Sequence, residues 1–152
     1  VPDIFIHRSA PVARKQDTPA PVWSKTVDPA DYDHAASFLA LAFPAATVDA
    51  CIAALKAAPI VQAAAKDILR ASGSPFLDAD VPGVKRQTKA IEAGQPLSPV
   101  LFIRGSSQPA LDGVLADGLH RTLATYADDP EAMLPVKLAA VDWDELRKGP
   151  TQ

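Results

Sequence analysis

Leu115-Ala116-Asp117-Gly118-Leu119-His120-Arg121-Thr122-Leu123 is the stretch where the backbone period of this chain changes. Ahead of it, Gly113-Val114-Leu115-Ala116 is a short apolar run that reads as a strand. Beyond it, Leu119, Leu123 and Tyr126 fall on one helical face, so a helix is expected from about Leu119 to Asp128. The Asp117-Gly118 turn between them leaves backbone N–H groups at a helix start with no intrahelical acceptor. His120 and Arg121 sit in the same turn, and together these groups form a place suited to an anion.

The pattern extends outward on both sides. Pro99-Val100-Leu101-Phe102-Ile103-Arg104 has too many apolar residues for a half-exposed strand and is expected at the centre of a sheet. Gly105 to Ala110 turns, Met133 to Ala140 reads as a third strand, and Trp143 to Arg147 as a last turn of helix. Upstream, Val84 to Ala93 is a helix closed by Gly94, with Lys85 and Lys89 four apart on one side. Ser74 to Gly83 is turn-rich.

Residues 29–73 read as a helical portion. Asp28 caps a helix that begins at Pro29 and carries the stripe Tyr32, Ala35, Ala36, Leu39 and Phe43, with Pro44 as its stop. A second helix starts at Thr47 with Val48, Cys51, Ile52 and Leu55 on one face. Pro59 is expected to open a third, with Ile60, Ala64, Ile68 and Leu69 apolar, and Gly73 ends it. Residues 1–28 hold Pro2, Pro11, Pro19 and Pro21 and read as an extended arm, apart from a short strand at Ile4-Phe5-Ile6. Trp23 and Trp143 are expected to tie down the two ends by packing.

The expected architecture is therefore α/β or α+β: a small mixed sheet with an added N-terminal helical portion, residues 29–152 forming a single domain. A chain of 152 residues is long enough for one core. The net charge of −3 argues against a nucleic-acid partner. No run approaches the length of a membrane span, and Val1-Pro2-Asp3 does not lead into a signal sequence, so a cytoplasmic location is expected. With Cys51 the single cysteine, an internal disulfide and a multi-cysteine metal site are excluded. His7 and His34 lie in segments without ligand spacing, and Asp78 with Asp80 reads as a turn, so no metal site is expected from the chain itself.

The segments AIEAGQPLSPVLFI (90–103), VLADGLHRTLATY (114–126) and MLPVKLA (133–139) occur in an order that resembles the ParB/sulfiredoxin-like superfamily. The resemblance runs from Lys85 to about Val141, so residues 84–141 are read as a module of that type. It rests on a helix ending in Gly, a strand opened by Pro, and a second strand running into Gly-x-x-Arg-x-x-Ala. Gly118, Arg121 and Ala124 match that last motif, His120 matches a position often basic, and Asp117 the acidic residue before the glycine.

The resemblance implies that Gly118, His120 and Arg121 hold phosphates, and that Lys85 or Lys89 reaches the more distal ones, with Arg104 a further candidate. Leu119 stands where sulfiredoxins carry their reactive cysteine, so sulfinic-acid reduction is not expected. About 30 residues follow Arg121, without the helix-turn-helix domain of the partition proteins, so DNA partition is not expected either. Arginine presents a planar fork suited to phosphate. His120 serves as a hydrogen-bonding residue, a phosphate ligand or a general acid–base; Asp117 caps the helix, orients His120 or joins it in catalysis. The expected function is binding of a nucleotide or another phosphorylated small molecule, with phosphoryl transfer or hydrolysis as the fitting reaction. A nucleoside triphosphate would bring its own magnesium. The alternative is a non-catalytic interaction or regulatory protein, marked by Arg121 paired with Asp117 or Asp128 and by an exposed apolar patch that a protein partner would cover.

Overall fold

The computed structural model describes residues 19–106 and 112–148. The strand expected at Ile4-Phe5-Ile6, residues 107–110 of the turn after the central strand, and His7 lie outside them.

Asp28 accepts a hydrogen bond from the N–H of Ala30 at 3.0 Å, and Pro29 occupies the first turn, where its missing N–H has no consequence. This starts α1 (Pro29–Leu39), which buries Asp31, Ala35 and Leu39. Phe43 lies past the end of α1 yet still packs, its ring 5.3 Å from that of Trp143. The next helix, α2 (Ala45–Ala57), buries Val48, Cys51 and Leu55.

The third helix departs from expectation. Ile60–Ala64 is a strand, and α3 is confined to Ala65–Ser72. A short run such as IVQAA fits either period, and Ile60 and Val61 are β-branched. What decides it is a partner: residues 60–64 pair antiparallel with 133–137, Ile60 opposite Lys137 and Ala64 opposite Met133. Gly73 does end α3 as expected, in the left-handed region at φ 61°.

One short strand, β1 (Val22–Trp23), pairs parallel with another, β3 (Pro96–Leu97), so part of the arm is stitched to the body. The strand Ile60–Ala64 is β2; the others are β4 (Val100–Ile103), β5 (Val114–Asp117) and β6 (Met133–Ala139). The four form one mixed sheet in the order β2-β6-β4-β5, with β4 and β6 parallel and the other pairs antiparallel. The remaining helices are α4 (Pro82–Glu92), α5 (Leu119–Asp128) and α6 (Trp143–Arg147).

All four residues of β4 are buried, as a central strand requires. Alternation divides them: Leu101 and Ile103 join Leu39, Cys51, Leu55 and Trp143 beneath α1 and α2. Val100 and Phe102 face the other way, toward Ile68, Leu115, Leu134 and Val136. Leu123 and Ala124 of α5 join Leu69, Val84 and Ile91 in a third cluster that seats α4 on α5. The molecule is a mixed α/β fold whose sheet is covered by helices on both faces. Among the described residues, no helix is long and apolar enough to cross a membrane.

Candidate functional site

β5 is an edge strand, and its C-terminal end opens into a cleft of about 490 Å³. The floor is Leu115 to Arg121. One wall is α1, with Asp31, His34 and Phe38; the other includes Arg86 and Gln87 of α4 and Ser74. The cleft therefore lies where the helical layers of the two sheet faces meet around an open edge.

A bulge sets the direction of the key carboxylate. Ile103 pairs with Val114 and Phe102 with Leu115, but Leu101 pairs with Asp117, leaving Ala116 as the extra residue. Residues directly opposite in a sheet point to the same face. Without the bulge, Asp117 would lie opposite Val100, on the α5 side. With it, Asp117 shares the face of Leu101, the side that carries α1 and its Asp31.

Gly118 follows at φ 108°, a conformation that a side chain resists. A Cβ here would also stand 2.5 Å from Cγ1 of Val100. The glycine allows the strand to turn into α5 against the sheet. Among the described residues no side chain caps this helix start, whose first N–H groups have no intrahelical acceptor, and residues 118–121 line the cleft.

Arg121 is nine-tenths buried. Its Nη2 donates to Oδ2 of Asp31 at 3.1 Å and to the carbonyl of Pro99 at 3.0 Å, and both terminal nitrogens lie 3.4–3.5 Å from Oδ2 of Asp117. Its Nε is buried without a partner among the described residues. The guanidinium thus joins carboxylates from two elements 86 residues apart and is engaged within the protein. Burial pushes the Asp117 carboxyl above the ordinary carboxylate range; Arg121 pulls it back down, and nearby Asp31 adds to the upward push.

His120 is exposed at the mouth, its ring against Gly83 of α4. Gly83 has no side chain to meet it: a Cβ there would come within 2.5 Å of the imidazole Nδ1. Asp117, Gly118, His120 and Arg121 are therefore together in the cleft. Lys85 and Lys89 are not among its lining residues. They border a shallower depression with Asp80, Pro82 and Arg86, and it is Arg86, one position round the helix from Lys85, that lines both. Arg104 lies at the opposite end of the sheet edge, because β4 and β5 run antiparallel; its carbonyl accepts the indole N–H of Trp143 at 2.7 Å.

Sequence reading did not single out Asp31, His34, Phe38, Arg86 and Gln87 as lining residues. A signal was present in α1, where Asp31, His34 and Phe38 follow one face at steps of three and four. The fold places a ligand atom from each of Asp31, His34 and Asp117 within 4.8 Å of one another. No family model, curated protein or solved structure matches the chain.

Proposed function

We propose that the cleft binds a nucleotide or another phosphorylated small molecule, with the phosphate at the start of α5. The observation that carries this reading is an uncapped helix N-terminus opening into a cleft of about 490 Å³ beside Arg86 and His120. The first N–H groups of α5 donate to phosphate oxygens, with Gly118 removing the Cβ that would crowd them. The helix field contributes about 0.3–1 kcal/mol for an exposed anion, so charge-assisted bonds from Arg86 supply most of the affinity. Arg121 acts differently from the role that the ParB/sulfiredoxin-like resemblance gives it: already engaged by Asp31 and Asp117, it fixes the acidic wall. If the ligand is turned over, phosphoryl transfer or hydrolysis is the fitting class, because these groups position and neutralise phosphate and supply no nucleophile of their own.

A second reading, a non-catalytic interaction protein, draws support from the pairing of Arg121 with Asp117 and from the exposure of Phe38 and Leu41, 51% and 89%. Calorimetric titration with ATP, CTP, GTP and ADP, with and without magnesium, separates the two. Saturable binding that weakens at least tenfold in Arg86→Ala, and holds in Lys85→Ala, is expected. No binding of any nucleotide to the folded wild type sinks this reading for nucleotides and puts the interaction protein first.

A further inference from the structure

We propose that Asp31, His34 and Asp117 form a site for one divalent transition-metal ion, Zn²⁺ or Mn²⁺, on the acidic wall of the cleft. The inference stands on these side chains and holds whether or not a phosphate binds nearby.

The three come from α1 and from the end of β5, and each offers a ligand atom within 4.8 Å of the other two. Metal–ligand bonds of about 2.0–2.2 Å put tetrahedral ligand atoms roughly 3.4 Å apart, so the group needs to close by about an ångström. His34, with 68% of its side chain exposed, is free to make that adjustment. Asp31 is not. It is more than nine-tenths buried and lines the cleft.

The bonding within the cluster is incomplete in a way that a cation completes. Arg121 takes Oδ2 of both carboxylates. No described residue donates a hydrogen bond to Oδ1 of Asp31, and Nδ1 of His34 lies 3.9 Å from it. Asp31 lines the cleft, and its Oδ1 carries no bond that an incoming ligand would have to displace. Two carboxylates also face one guanidinium, which leaves one negative charge uncompensated when both are ionised. An ion bound to Oδ1 of Asp31, an oxygen of Asp117 and a nitrogen of His34 uses that open oxygen and offsets the charge. Arg121 then holds the far oxygens and orients the ligands, as supporting groups around metal sites do. The ion's remaining positions hold water, an acceptor of the kind that the buried Nε of Arg121 lacks.

The donor set selects the metal. Two carboxylates alone would suit Mg²⁺ or Ca²⁺, while an imidazole nitrogen favours Zn²⁺ and remains compatible with Mn²⁺. Three protein ligands leave coordination positions open toward the cleft, as at catalytic metal sites.

The test is calorimetric titration of metal-free protein with Zn²⁺ and with Mn²⁺, in buffer without phosphate or nucleotide. Mn²⁺ binding is also read by loss of the free-ion paramagnetic signal. The expected result is one ion per chain, bound at least tenfold more weakly by His34→Ala, whose exposed side chain is dispensable for folding. Asp117→Asn, checked for its native circular dichroism, shows the same loss. Absence of one-to-one binding by either ion, or a loss below tenfold in His34→Ala, overturns the proposal. Because phosphate is absent, a failed nucleotide titration leaves this result untouched, and the converse also holds.

Discussion

Asp117 and Arg121 are four residues apart, and in an exposed helix turn they would form a pair worth a few tenths of a kcal/mol. Burial changes their chemistry. The Asp117 carboxyl is held above its ordinary value of 3.8 because desolvation outweighs the attraction of Arg121. Between that value and the higher native one, the folded protein binds more protons at this group than the unfolded chain does. The contribution of Asp117 to stability is therefore complete at low pH and is lost as the pH rises through the native value. Urea midpoints measured from about pH 4 to pH 7 should show wild type losing stability relative to Asp117→Asn as the pH increases. The residues Asp117, Gly118, His120 and Arg121 were legible in sequence because a strand-to-helix change marks them. Asp31 was not legible as their partner: a single extra residue, Ala116, turns Asp117 toward α1, and no local pattern announces that bulge.

At the level of elements, the helices with strong end signals matched expectation, α5 and α6 at both ends. The element that differed, β2, has no end signal of its own. Its five residues take their conformation from β6, far along the chain, and only the pairing partner decides between the two periods. The start of α1 is the opposite case, being fixed locally by Asp28 and Pro29. Asp28→Ala removes the acceptor for Ala30 N–H and is expected to lower stability by about 0.5–2 kcal/mol, read from denaturant midpoints. Because α1 carries Asp31 and His34, the same substitution loosens one wall of the cleft. A weaker affinity for the ligand proposed for the cleft should accompany the lower midpoint.

Across the whole molecule, a sheet covered on both faces divides the apolar residues into sets with different consequences. Leu55 is fully buried beneath the α1–α2 layer, whereas Leu41 is almost wholly exposed. Leu55→Ala should cost about 2–5 kcal/mol through lost burial and the cavity it leaves, while Leu41→Ala should stay within about 0.5 kcal/mol. Chemical denaturation of the two variants checks both. The mixed α/β class and the central place of Val100–Ile103 were readable from composition and period. The order of strands was not, since it depends on which edges meet in space.

That order has a consequence for the timing of assembly. β6, the last of the described strands, is not an edge but sits between β2 and β4. Until residues 133–139 arrive, β2 has no neighbour in this sheet, and β4 can form only its hairpin-like pairing with β5. Chain emerging during synthesis thus holds α2 without part of the sheet on which it rests. Closing the sheet becomes a late, long-range event that commits most of the core at once, the kind of topology that slows folding and favours a single cooperative transition.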